Sequence, residues 1–121
     1  MFNINIQKLQ LELENIKDEN GLLGNILSSD EGLVIANSVN SDLYDPILIS
    51  AMAASIITEN YFGFSNPNQI ILSYDAEKII VNKFKTPKNG TDLLLISIIP
   101  QSKRYFKRCL NKSIKLVNEM F

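Results

Sequence analysis

The 121-residue sequence contains no histidine and a single cysteine, Cys109. Without histidine, Ser-His and Cys-His catalytic systems are excluded, and the commonest metal ligand is missing. One cysteine cannot form an internal disulfide, which favours a reducing compartment, and it leaves no ligand set for zinc. The five glycines form neither a phosphate-binding loop nor a dinucleotide fingerprint. We therefore predict a protein that is not an enzyme and that holds no cofactor or metal.

Long apolar runs are also missing. The longest strongly apolar run without charge, residues 46–58, is shorter than the roughly 20 residues that a membrane-spanning helix needs. The N-terminal sequence MFNINIQKLQ lacks the basic flank and apolar stretch of a signal peptide. We expect a cytoplasmic protein without an anchor, folded as a single domain over residues 1–121.

Charge of either sign is modest overall but uneven along the chain. Residues 101–121 hold six bases and one acid, although the whole chain has 12 bases and 13 acids. Five of these bases fall on one side of the predicted last helix: Arg104, Lys107, Arg108, Lys112 and Lys115. A solvated helix face is the favoured interpretation. A GTPase contact, an anionic membrane surface or nucleic acid are the alternatives.

The hydrophobic spacing predicts three helices and five strands. Helices are expected at about residues 6–20, 46–62 and 102–120, with Asn5, Gly21, Asp45 and Gly63 as caps. The last helix places Cys109 on its apolar side, where we predict a small core residue. The segment DLLLISIIP, residues 92–100, is apolar enough for a strand buried on both faces. The order α-β-β-α-β-β-β-α predicts an α/β (α+β) fold, a three-layer sandwich with helices on both faces of a mainly antiparallel sheet.

The central predicted helix, residues 46–62, has no continuous polar face. On a helical wheel one side carries larger side chains suited to the sheet: Ile49, Met52, Ala53 and Ile56. The opposite side is small and nearly uncharged: Ile47, Ala51, Ala54, Ser55 and Thr58. One sheet can cover only one side, so either another helix of the chain or a second copy must cover the other. The second copy is favoured, because the apolar faces of the other two helices are narrow and are needed against the sheet.

Five segments in this order resemble a known family. They are the helix IQKLQLELENI, the hairpin GLLGNILSSDEGLVIANS, the helix ILISAMAASIITENYFG and the strands QIILSYDAEKIIVNKF and DLLLISIIP. Over essentially its whole length the chain resembles the Roadblock (dynein light-chain roadblock-type) superfamily. It departs from the family at SKRYFKRCL, residues 102–110, where many relatives carry a smaller, apolar stretch.

The resemblance implies a non-catalytic homodimer. In the family the central helices of two subunits pack antiparallel and the third strands pair edge to edge, which adds Ile70, Leu72 and Tyr74 to the predicted interface. Roadblock proteins act as platforms for Ras-like small GTPases, and others are dynein light chains. We expect a scaffold or regulator of a Ras-like GTPase that pairs with itself or with a paralogue. An adaptor for an anionic membrane surface or nucleic acid, acting through the basic last helix, and a small-ligand sensor are the alternative functions.

Overall fold

The first helix follows the predicted pattern closely in the structure, a computed structural model that describes residues 5–59 and 62–121. Helix α1 spans Ile6–Asn20, and the side chain of Asn5 caps it by accepting the N–H of Lys8 at 3.0 Å. At its end Gly21 adopts φ 65°, a left-handed conformation that favours glycine, and its N–H bonds the carbonyl of Lys17. Three residues of α1 that share one helix face are buried: Leu9, Leu13 and Ile16.

Five strands form one antiparallel sheet. They are β1 (Gly24–Ser29), β2 (Val34–Asn37), β3 (Gln69–Ser73), β4 (Glu77–Lys85) and β5 (Asp92–Pro100). Their order across the sheet is β2-β1-β5-β4-β3, and every neighbouring pair is antiparallel. The central β5 is buried from Leu93 to Ile99, which confirms the prediction from its continuous apolar sequence. Strands β2 and β3 are left at the two edges.

Helix α2 covers one face of the sheet, and α1 and α3 cover the other. The core beneath α2 joins Ala53 and Ile57 to Val81, Leu94 and Ile96 of the strands. The core of the opposite face contains α1 and α3 side chains together with strand residues of the other parity: Leu9, Leu13, Leu27, Leu93, Val117 and Phe121. Alternation along each strand sends successive side chains to opposite layers. The α+β, three-layer prediction is confirmed.

Helix α2 is shorter than predicted. It spans Pro46–Thr58 with Asp45 as its N-cap, and the next residue, Glu59, is extended at φ −79° and ψ 139°. Gly63 is therefore not its C-cap, and residues 60 and 61 of the predicted helix lie outside the described residues. The helix ends on three β-branched residues followed by an acid. Stiff side chains of this kind lower helix propensity, and a carboxylate is unfavourable at a helix C-terminus.

Helix α3 begins later than predicted. It spans Lys107–Met120, so the predicted first turn at residues 102–106 is not helical. A helix starting at Ser102 would place Lys103 and Arg104 in its first turn, where the helix dipole disfavours cations. The N–H of Lys103 instead bonds the carbonyl of Pro100 at 3.0 Å, which forms a turn after β5. Cys109 is buried on the core side of α3, as predicted.

None of the helices in residues 5–59 and 62–121 has both the length and the apolar character needed to cross a bilayer.

Candidate functional site

Helix α2 packs on its own sheet through small side chains. Its buried residues are Ser50, Ala53, Ala54 and Ile57. The close approach also depends on Gly32, in the β1–β2 turn at φ 91°. A Cβ built on Gly32 would lie 3.0 Å from the Cα of Ala51 and 3.3 Å from the Cβ of Ala54. The side of α2 that carries these four buried residues therefore meets the hairpin and sheet of the same chain.

This packing overturns two of the predicted side-chain placements. Ala54, predicted in the dimer interface, is only 5% exposed and belongs to the core beneath α2. Met52, predicted against the sheet, is 56% exposed. Small side chains permit close approach to any partner, and for Ala54 the partner is the sheet rather than a second helix. The spacing of Ser50, Ala53 and Ile57 carried this signal, because positions three and four apart share one helix face.

The outer side of α2 is apolar and exposed. Four of the predicted interface residues lie there: Ile47, Ala51, Ser55 and Thr58. Leu48 and Met52, which were not predicted to be exposed, lie there too, and Ile47 is 72% exposed. In the described part of the chain, no element covers this side of the helix. We call the exposed side formed by these six residues the outer face of α2.

Strand β3 offers an open edge at one side of the sheet. Ile70 packs against the core beneath α2, and Leu72, two residues on, projects to the same side of the sheet. Tyr74 follows the strand and is exposed. The even-numbered residues in and next to β3 make the backbone hydrogen bonds to β4. The N–H of Tyr74 donates to the carbonyl of Glu77 at 2.7 Å, and the N–H of Lys83 donates to the carbonyl of Asn68 at 2.8 Å. The backbone groups of the odd-numbered residues between them, centred on Ile71, point away from β4.

The opposite edge is less available. Strand β2 has only four residues, and its pairing with β1 is shifted by a bulge between Leu27 and Ser28. Its terminal residue Asn37 has its N–H bonded by the side-chain oxygen of Gln10, on α1, at 3.4 Å. Short length, a bulge and a covering helix are the usual ways in which proteins protect an edge. Of the two edges, β3 is therefore the one that is available to pair with another strand.

An apolar groove connects the end of α2 to β3. It has a volume of about 350 Å³ and is lined mainly by Ile56, Phe62, Phe64, Pro67 and Ile70. Phe62 is 84% exposed, and Phe64 is similarly open to solvent. These aromatic residues were not predicted from the sequence. The sequence feature that could have indicated them is the pair of aromatic residues on either side of Gly63, outside any apolar repeat.

The predicted basic surface divides into two parts. Arg104, Lys107, Arg108 and Lys112 line one cavity of about 820 Å³ at the start of α3. Lys115 instead lies in a separate groove between α1 and α3, beside Glu12 and Glu119. Lys112 forms an ion pair with Glu19 of α1 at 3.7 Å. The continuous stripe expected from the helical wheel is therefore interrupted by acids of α1.

A further cation, not predicted from the sequence, lies at this end of α3. The Nζ atom of Lys78, at the start of β4, lies 5.6 Å from the centre of the Phe106 ring and donates to the carbonyl of Lys103 at 3.4 Å. Phe106 is the N-cap of α3, and its side chain forms no capping hydrogen bond. Strand pairing brings Lys78 opposite Ile99 near the end of β5, a proximity that the linear sequence does not reveal.

The thiol of Cys109 belongs to the core rather than to a reactive site. Its Sγ donates to the carbonyl of Phe106 at 3.0 Å. Burial raises the pKa of the thiol, and the charge of Lys103 and two backbone hydrogen bonds oppose that shift. A raised pKa means little thiolate at neutral pH, and the thiolate is the nucleophilic form. In the described part of the chain, no group of three or more Cys, Asp or Glu side chains could hold a metal ion.

Comparison with solved structures decides the fold family. The chain superposes on Myxococcus xanthus MglB with a TM-score of 0.71 at 10% sequence identity, over 99% of this chain and 89% of that one. It also matches the Roadblock/LC7 domain from Streptomyces avermitilis with a TM-score of 0.64 at 13% identity, over 91% of each chain. The chain has the Roadblock fold. The sequence-based expectation of this fold is thus confirmed.

A further structure with the Roadblock fold is the gliding protein mglB from Thermus thermophilus. The TM-score is 0.66 at 12% identity, and the match covers 99% of this chain and 93% of that chain. Comparison of the sequence with protein families and with curated proteins finds no match. The likeness is therefore carried by the three-dimensional arrangement of the elements.

Proposed function

We propose that this chain is a non-catalytic homodimeric platform that binds a Ras-like small GTPase and modulates its nucleotide cycle or its localisation. One observation carries the proposal. The outer face of α2 is apolar and exposed, the edge of β3 has unpaired backbone groups, and a groove lined by Ile56 and Ile70 connects the two elements. These are the two elements through which the Roadblock resemblance implies pairing of subunits.

The open edge suggests how two copies meet. In an antiparallel pair related by a two-fold axis, the central residue of the edge faces its own copy. The outward groups of β3 are those of Gln69, Ile71 and Ser73. We place Ile71 opposite Ile71 of the second copy, with Gln69 opposite Ser73. The two sheets then continue across the axis, and Ile70 and Leu72 extend the apolar layer on the α2 side.

The outer face of α2 is suited to the same axis. Ile47, Ala51 and Ser55 are spaced by four residues and form one row along the helix. Small side chains at the centre of this row allow another helix to approach closely. Burial of apolar surface contributes about 25 cal/mol per Å², so covering Ile47, Leu48 and Met52 would favour association. Ala54 plays no part in this contact because the sheet of its own chain already buries it.

Support for the GTPase partner comes from the Roadblock resemblance and from exposed aromatic residues. Phe62 and Phe64 flank the groove at the end of α2 and are among the most exposed large apolar residues of the described chain. Aromatic side chains in a pocket are common anchors of protein interfaces. We place the GTPase contact at this groove, beside the dimer axis.

The proposal is tested by measuring binding to the small GTPases of the same organism in their GDP and GTP states. We expect one of them to bind, and its hydrolysis, exchange rate or membrane association to change. Phe64→Ser should weaken that binding while leaving the dimer mass unchanged in sedimentation, and exposed Leu11→Ser on α1 is the matched control. Failure of every GTPase to bind would refute the GTPase role. A monomer mass would refute the dimer independently.

A further inference from the structure

Cations from separate parts of the chain converge at the start of α3. Arg104 lies in the segment between β5 and α3, Lys107, Arg108 and Lys112 lie on the helix, and Lys78 reaches in from β4. The four cations other than Lys78 line the cavity of about 820 Å³, and no acidic side chain of the described residues lines it. We call this set of five residues the α3 basic cluster.

Most of this charge is not neutralised by the chain itself. Among the described residues, Arg104, Lys107 and Arg108 form no ion pair, whereas Lys112 is paired with Glu19 and Lys85 with Asp92. Lys107 and Arg108 also begin a helix that has no acidic residue in its first turn. Like charges held together repel, and the helix dipole adds to the cost of cations at this end. The cluster therefore destabilises the free protein, and a bound anion would relieve that repulsion.

The surroundings of the cluster favour a protein segment over a flat anionic surface. Tyr105 is 92% exposed and lines the same cavity as Arg104 and Arg108. Tyrosine and arginine, together with tryptophan, are enriched at the energetic centres of protein interfaces. A membrane lying across the α1–α3 layer would also meet Glu12 and Glu19 of α1, and those carboxylates would be repelled.

We propose that the α3 basic cluster docks an acidic segment of a protein partner. The carboxylates of the segment pair with Arg104, Lys107 and Arg108, and an apolar residue of the segment packs on Tyr105. This inference is independent of the proposed GTPase function, because the cavity lies at the start of α3 and the α2 groove is lined by other residues. Exposed charge pairs act over about 10 Å at 0.1 M salt, so the interaction should weaken as salt is added.

The test uses the full chain and a fluorescent peptide of Glu, Gly and Phe residues, with a peptide carrying Gln in place of Glu as its control. We expect salt-sensitive binding of the Glu peptide by fluorescence anisotropy and none of the Gln peptide. The triple variant R104Q/K107Q/R108Q should bind at least about tenfold more weakly. The matched variant K8Q/K83Q/K88Q removes the same net charge elsewhere and should bind like the unmodified protein.

Three results would overturn the inference: no binding of the Glu peptide, equal loss of binding in both triple variants, or binding of phosphatidylserine vesicles without binding of the peptide. The cluster variant is expected to fold, since it loses only exposed, mutually repelling charges, and circular dichroism checks this. If it does not fold, the single variant R108Q decides the question by the same comparison with K88Q.

Discussion

Gly32 is the residue at which the hairpin of the sheet touches the central helix. Its φ of 91° is a backbone conformation that side-chain-bearing residues rarely adopt. Its missing Cβ also makes room for the backbone of α2 at Ser50 and Ala51. Two separate physical demands, one conformational and one steric, therefore fall on the same position.

Comparison of substitutions at Gly32 and Gly90 separates the conformational demand from the steric one. Gly32→Ala should destabilise the fold by about 2–4 kcal/mol, because the strained φ and the contact with α2 add together. Gly90→Ala is the matched control, since Gly90 also has a positive φ of 63° but nothing within 4 Å of a built Cβ. Urea unfolding measures both, and equal losses would show that the contact with α2 contributes nothing.

Cys109 provides a second prediction at the scale of one residue. The folded thiol should react with a disulfide reagent at neutral pH at least about a hundredfold more slowly than in urea, because it is buried and its pKa is raised. Its contribution to stability should be complete below the ordinary thiol pKa of 9.0 and should disappear as pH rises through the higher folded value. Thiol titration against pH measures the folded pKa on which this contribution depends, and Cys109→Ser is the control for a pH effect from other groups. Fast reaction of the folded protein would contradict the burial.

At the scale of elements, α3 has an unfavourable start. Its first two residues are Lys107 and Arg108, and its N-cap supplies no side-chain oxygen. Lys107→Glu should therefore raise the free energy of unfolding by about 0.3–1 kcal/mol at low salt through the helix dipole. Lys107→Gln, which removes the charge without reversing it, should give an intermediate gain. Urea unfolding at two salt concentrations measures both, and a loss of stability in Lys107→Glu would contradict the electrostatic account.

The sequence predicted the positions of helices and strands better than it predicted which face of a helix is buried. Both caps of α1, the N-cap of α2 and the burial of β5 follow from local chemistry, which a linear pattern contains. The division of α2 into inner and outer sides was partly wrong, because both sides are largely apolar and the packing of Ala53, Ala54 and Ile57 on the strands decides which one is buried. Lys78 reached the α3 basic cluster through strand pairing, and nothing near it in the sequence indicates that position.

At the scale of the whole molecule, the open edge of β3 carries the clearest prediction. The N–H of Ile71 points away from β4, so Ile71→Pro removes no hydrogen bond within the chain and is tolerated at an edge strand. It should nevertheless prevent edge-to-edge pairing and give a monomer mass by sedimentation at micromolar concentration. Ile71→Thr keeps the N–H and is expected to remain dimeric. A dimer in the proline variant would place the interface elsewhere.

The inequality of the two sheet edges limits how large the assembly can become. If β3 joins β3 of a second copy, the outermost strands of the resulting ten are both β2, each four residues long and with Asn37 bonded to Gln10. Neither outer edge is then available to pair with a third chain, so strand addition stops after the first pairing. A chain that pairs through β3 would therefore stop at two copies and would not grow into a fibre, even at high concentration.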